Sequence, residues 1–274
     1  MIHVENMSFQ YPSGQHMVFD SVSINITSGH IYGLLGKNGV GKSTLFRLIS
    51  GINELKKGAI TTLGMNPFDR DPNLLARLFL IPEDMAFPDL SIRKFAQYYG
   101  AFYPNYDPAA LEQYLEKFDV PNHVVSKMSL GQRKKAMISF ALSLNTDILL
   151  MDEPTNGLDI PSKRIFRSCL ADLDMSNRLM MISTHQVRDL EELIDAVIIV
   201  DDRHISLSAT FASLLQQYHF GELNDDMDIV YEERIGGRRC GVSRLRSEDK
   251  PDKTIDMELL FNAAVSGTIT GEIV

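Results

Sequence analysis

Cysteine is scarce in this 274-residue chain: Cys169 and Cys240 are its only two, far apart and with no Cys-x-x-Cys spacing. That excludes a disulfide framework and a cysteine zinc site, and it fits a reducing compartment. No apolar run reaches 18 residues, so no membrane-spanning helix is predicted. The opening Met-Ile-His-Val-Glu-Asn has no basic stretch followed by an apolar core, so no signal peptide is predicted and a cytoplasmic location is the default. Basic residues are in deficit, 27 Lys and Arg against 36 Asp and Glu, for a net charge of −9. That balance argues against a general nucleic-acid surface, because phosphate contacts need a basic patch. What remains is an ordinary globular composition, 44% hydrophobic and 23% charged, in a chain long enough for one large core or two modest ones.

Residues 36–44 read Gly-Lys-Asn-Gly-Val-Gly-Lys-Ser-Thr, a complete G-x-x-x-x-G-K-[ST] phosphate loop. Its glycines, Gly36, Gly39 and Gly41, let successive N–H groups turn inward with no Cβ in the way. Lys42 then reaches the β- and γ-phosphates, and the Ser43 hydroxyl can bind Mg²⁺. Lys37, Asn38, Val40 and Thr44 complete the cradle. The setting fits, since Ile31–Leu35 reads as a short apolar strand and 43–50 has helical spacing. The polyphosphate would thus sit at the positive end of a helix dipole.

Ile148–Met151 is a continuous apolar run, as in a parallel strand covered on both faces, and Asp152-Glu153-Pro154 follows at once. A carboxylate at that strand edge lies where ligands bind in open α/β sheets. Asp152 is expected to hold Mg²⁺ beside Ser43, and Glu153 to polarise the attacking water as general base.

Organisation along the chain agrees. The first thirty-five residues look β-rich, with Val22, Ile24 and Ile26 alternating as in a half-buried antiparallel strand. Strands are predicted near 58–63, 77–81, 147–151, 179–183 and 196–200, with helices near 161–174 and, short and acidic, 186–193. From about 84 to 145 the pattern is helical, with segments at 91–100, 107–118 and 129–142. The second opens on an Asp cap with Pro at the first helical position. The fold class is therefore α/β, a nucleotide-binding core interrupted by a helical insertion. Beyond residue 208 the pattern weakens to a helix, a hairpin at Gly236-Gly237, an amphipathic turn at 256–261 and a loose ending.

Met128-Ser-Leu-Gly-Gln132 runs straight into a helix. Here the chain, over roughly 1–210, resembles the nucleotide-binding subunit of ATP-binding-cassette (ABC) transporters, whose signature is Leu-Ser-Gly-Gly-Gln. Ser129, Gly131 and Gln132 are kept; Met128 and Leu130 depart. Ser129 is a helix cap whose hydroxyl, with the Gly131 N–H, can face a γ-phosphate.

The resemblance implies a P-loop NTPase core (RecA-like) with an N-terminal antiparallel β-subdomain and a helical insertion subdomain. It sets an ATPase domain at 1–207 and leaves a C-terminal extension at 208–274, a candidate for a small regulatory or dimerisation segment. It implies ATP and Mg²⁺ as cofactors, with the γ-phosphate met by the signature of a partner subunit. It also places Tyr11 on adenine, the Asn156–Asp159 loop on the opposite subunit, and His185 on the γ-phosphate. Glu83, in Leu80-Ile-Pro-Glu-Asp84, stands where the family usually has a glutamine; its carboxylate can bind Mg²⁺ or order water, and the loop's style resembles export-type systems.

The partners so implied are an integral-membrane permease, which would hold the subunit at the inner face of the membrane, and a second copy or related ATPase subunit. Two rivals stay open: a soluble ABC ATPase acting on ribosomes or DNA, and a regulatory cassette that binds ATP and hardly turns it over. A GTPase is excluded by the lack of an Asn-Lys-x-Asp motif. Apolar stretches at 85–87 and 102–106 are candidates for seating a permease helix.

Overall fold

A computed structural model describes residues 1–12, 16–185, 191–246 and 251–273. The chain opens with β1 (Ile2–Gln10) and β2 (Met17–Ile26), an antiparallel pair in which Val4 faces Ile24 and Ile2 faces Ile26. β3 (His30–Leu35) leads through the phosphate loop into α1 (Lys42–Ile49), and β4 (Lys57–Thr62) then returns to flank β1. The β2-β1-β4 sheet is the antiparallel subdomain. A short α2 (Pro72–Leu75) precedes β5 (Leu78–Ile81).

The helical insertion follows as α3 (Ile92–Tyr99), α4 (Pro108–Lys117) and α5 (Leu130–Ser143). Each start is chemically marked. Ser91 caps α3, Asp107 caps α4 ahead of Pro108, and Ser129 caps α5. An aromatic cluster anchors the insertion on the core, with the Phe140 ring centroid 5.7 Å from Phe79 on β5 and 5.1 Å from Phe95 on α3. Tyr103 and Tyr106 join this cluster and are half-buried, while Phe102 is exposed.

The chain then returns through β6 (Ile148–Asp152), α6 (Ile160–Ala171), β7 (Leu179–Thr184), β8 (Ala196–Asp201) and β9 (His204–Thr210). After these come α7 (Phe211–Gln217), β10 (Tyr218–Glu222), β11 (Asp228–Ile235), β12 (Arg238–Arg244), α8 (Met257–Val265) and β13 (Gly271–Ile273). The central sheet has the order β13-β9-β8-β3-β7-β6-β5, parallel except where β9 turns back on β8.

Its continuous apolar strands are explained by two cores on its two faces. Along β6, Ile148 and Leu150 pack toward α1 and the antiparallel sheet, while Leu149 and Met151 pack toward α5 and α6. β7 divides in the same way, with Leu179 and Met181 on one face and Met180 and Ile182 on the other.

The end of the chain departs from expectation. The anticipated boundary at 207/208 falls inside β9. Leu214, Phe220, Leu259 and Leu260 belong to the same core as Leu149 and Met151, so the C-terminal stretch is packed on the sheet. The hairpin at Gly236-Gly237 does form, joining β11 to β12. The stretch 266–271, expected to be loose, has no helix or strand before Gly271 but is tied down by the Thr268 N–H on the Ala263 carbonyl and by buried Ile269; β13 then runs parallel to β9, with Glu272 opposite Ser208. Residues 186–190 of the anticipated acidic helix lie outside the described residues.

Candidate active site

The site forms at the C-terminal ends of β3, β6 and β7. Gly36 ends β3 in close contact with β8: a Cβ there would lie 2.6 Å from the Val200 carbonyl oxygen, so only glycine lets the loop leave the sheet at this point. Gly41 caps α1 at φ +119° and supplies no side-chain cap, leaving the first N–H groups of the helix for the cavity. Lys42 is buried, and its Nζ donates to the carbonyls of Gly36 at 2.7 Å and Lys37 at 3.2 Å. Burial lowers its pKa, while Glu153, Asp152 and Glu83 push it back up.

Asp152 at the end of β6 and Glu153 just beyond it are both buried. Register places Asp152 opposite Ser183 on β7. The Ser183 hydroxyl donates to Asp152 Oδ1 at 2.5 Å and accepts from the Glu153 N–H at 3.0 Å. Glu153 has φ +45°, an uncommon left-handed setting for a non-glycine residue. That turn brings its Oε1 to 2.9 Å from His185 Nδ1, while Oε2 is buried with no hydrogen-bond partner among the described residues.

One cavity of about 310 Å³ gathers Asn38, Gly39, Gly41, Lys42, Ser43 and Thr44 with Glu83, Asp152, Glu153 and His185. Lys37 and Val40 line an adjoining cavity. Tyr11 is not among the residues lining either cavity; its hydroxyl lies 3.1 Å from Thr44 Oγ1 and accepts from Asn53 Nδ2 at 3.2 Å, and its ring is edge-on to Phe9. Ser43, Asp152 and Glu83 offer a hydroxyl and two carboxylates, the all-oxygen set that suits Mg²⁺ when substrate phosphate and water complete it.

Ser129, Gly131, Gln132 and Asp159 are not among the residues lining this cavity. Ser129 and Gln132 form a reciprocal capping box: Ser129 Oγ accepts from the Gln132 N–H at 3.3 Å and Gln132 Oε1 from the Ser129 N–H at 3.0 Å. Gly131 is required by packing, since a Cβ would come within 2.8 Å of the Gly157 carbonyl oxygen. Asp159 caps α6 through the Ser162 N–H at 2.9 Å. Leu130 and Ile160 are exposed on this face, at 56% and 82%.

The family profile described as ABC transporter matches residues 19–156, just over half of the chain and inclusive of the phosphate loop and Asp152-Glu153. The chain belongs to the ABC transporter family. As such it is an ATP-binding subunit, and its chemistry is ATP hydrolysis. Among the proteins it resembles is the ABC transporter ATP-binding protein NatA of Bacillus subtilis (strain 168), 29% identical over 78% of this chain and 89% of that one. Another is the Nod factor export ATP-binding protein I of Sinorhizobium fredii, 32% identical over 73% and 60%. The fold matches a dimeric, post-hydrolysis ATP-binding cassette solved with ADP and Pi, at TM-score 0.66 and 20% identity, over 77% of this chain and 98% of that one.

Two contributors to the ABC site, Ser183 and Lys134, were not singled out from sequence, and Asn156, expected on a loop facing the opposite subunit, is bonded within this chain's own site. Asn156 Nδ2 donates to Glu83 Oε1 at 3.3 Å, and Lys134 Nζ to the Glu153 carbonyl at 2.7 Å. The one signal for Ser183 was its place as the first polar residue of a strand otherwise apolar. Lys134 gave none, since a lysine in a basic run reads as solvated.

Proposed function

We propose that two copies of this chain close over two Mg²⁺–ATP and that the resulting ATPase drives a separate membrane permease in export. The observation that carries this is the convergence of Lys42, Asp152 and the Glu153–His185 pair on one cavity, while Ser129 and Gly131 stand outside it. A pocket with phosphate ligands and a base on one side only is half of a site; the exposed signature helix of a second copy supplies the other half.

In this reading Lys42 and the α1 N–H groups hold the β- and γ-phosphates. Glu153 Oε2, buried and without a partner among the described residues, accepts the proton of the attacking water, and His185 holds Oε1 and so fixes the carboxylate's direction. The water oxygen bonds to the γ-phosphorus as the bond to the bridging oxygen breaks. Ser43, Asp152 and Glu83 would hold Mg²⁺, which when bound supplies charge neutralisation to the phosphates. Catalysis is then chiefly positioning and charge stabilisation. Tyr11 takes the adenine on its face, and Asp159 with its loop meets the partner copy. The ATPase core runs through the end of β9 at Thr210, and the chain beyond serves as a C-terminal element packed on it.

Export is supported by the style of the Glu83 loop and by the likeness to the Nod factor export protein. The test is purification of the tagged chain from detergent-solubilised cells. The expected result is an integral membrane protein at stoichiometric yield that raises ATP turnover. Recovery of ribosomes instead, or turnover indistinguishable from background with or without a membrane partner, contradicts the reading.

A further inference from the structure

Among the described residues, two lysines are buried: Lys42 in the phosphate loop, and Lys134 on the second turn of α5, 3% exposed. Burying an ammonium is costly unless it is hydrogen-bonded and faces opposite charge. Lys134 meets both conditions at one place. Its Nζ donates at 2.7 Å to the backbone carbonyl of Glu153, the residue whose φ of +45° turns its carboxylate toward His185. The same carbonyl also accepts, more weakly, from the Asn156 N–H at 3.3 Å. On the other flank of this peptide, the Glu153 N–H is held by Ser183. The left-handed turn is therefore clamped from both sides, by a serine from β7 and by a lysine from the signature helix. Lys134 also shares a second cavity with Glu83, so a buried cation lies near the carboxylate-rich wall that has to admit a polyphosphate.

We infer that Lys134 is a positioning residue for hydrolysis: its ammonium pins the Glu153 carbonyl and so sets the direction of the carboxylate that activates water. This rests on the reading of Glu153 as the general base. The helix that begins at Ser129 thereby reaches back to the reactive carboxylate of its own chain.

The test is a double-mutant cycle in single-turnover ATP hydrolysis by the full chain, with Mg²⁺–ADP affinity and melting temperature measured alongside. Lys134→Gln is expected to slow turnover about 10–100-fold, the cost of a small misplacement of a reacting group, with ADP affinity within about 3-fold of the parent because that affinity rests on the phosphate loop. In a Glu153→Gln background the same change is expected to cost less than about 2-fold, because the group it aims is already gone. Lys134→Arg, which keeps the cation and donor, is expected to recover most of the rate. Unchanged turnover in Lys134→Gln overturns the inference. So does an equal loss in both backgrounds, or a Lys134→Gln chain that melts before it can bind ADP, since either would make Lys134 a stability residue only. If Glu153→Gln alone keeps full turnover, it is the general-base reading that fails, an outcome distinct from these.

Discussion

The phosphate-loop end and the signature end of this chain use the same device, the N-terminus of a helix, and finish it differently. At α1 the cap is Gly41, which contributes no side chain, so the free N–H groups and Lys42 face into a walled cavity. At α5 the cap is Ser129, whose oxygen is engaged by Gln132 in a closed capping box, on a surface that also exposes Leu130. The first end is preformed to receive phosphate from its own molecule. The second satisfies its backbone locally and keeps only a hydroxyl proton to offer outward. That asymmetry is what two half-sites require: one binds nucleotide alone, and the other recognises nucleotide already bound elsewhere.

The strongest way to break this comparison is on the preformed side. Glu153→Gln is expected to slow hydrolysis by about 10²–10⁴-fold, roughly 3–5 kcal/mol on the barrier, with ATP binding retained; rapid-quench assays and equilibrium binding measure the two. A comparable loss of ATP affinity would show that Glu153 belongs to the cradle and not to the chemistry.

Next comes the scaffold beneath that side. Leu260→Ala on α8 opens the core shared with β6 and is expected to cost about 2–5 kcal/mol in chemical denaturation. One cooperative transition is expected, because Leu214, Phe220, Leu259 and Leu260 share the core of the central sheet. A separate early transition would make that stretch an independent appendage.

On the signature side, Ser129→Ala removes the cap and the outward donor together. Loss of the cap lowers stability by about 1 kcal/mol, whereas loss of a donor to the γ-phosphate lowers turnover about 10²-fold. Mg²⁺–ADP affinity of the isolated chain should not move. Gly131→Ala sharpens the point, since its new Cβ would collide with the Gly157 carbonyl. It is expected to cost about 1–3 kcal/mol, read as a lower melting temperature.

The smallest effect is alkaline. Burial pushes the Tyr103 phenol up to about 12, above its ordinary value of 10.0. Between those values the unfolded chain binds fewer protons than the folded one, so stability falls as pH rises through that window. Tyr103→Phe is expected to flatten the fall in a denaturation series from pH 9 to 12.

The two ends were unequally legible in the amino-acid sequence. The phosphate loop and Asp152-Glu153 are contiguous in the chain, so spacing and flanking strands disclose them. The Ser129 cap is likewise local. The Glu153–His185 pair and the Ser183 bridge depend on which strands are neighbours and in what register, and neither residue type nor periodicity states that. Lys134 was hidden for the opposite reason, lying in a run with Arg133 and Lys135 where only the packing of α5 distinguishes the one that points inward. The packing of the C-terminal stretch was not legible, because three residues of β13 pair with β9 across more than sixty positions of sequence, a contact with no local signature.

Light scattering of Glu153→Gln, with and without Mg²⁺–ATP, bears most directly on the two half-sites. The expected result is a monomer without nucleotide and a dimer with it, the dimer being lost when Ser129 is replaced by arginine. A nucleotide-saturated chain that stays monomeric at high concentration, or a dimer indifferent to Ser129, would contradict a site completed by a second copy.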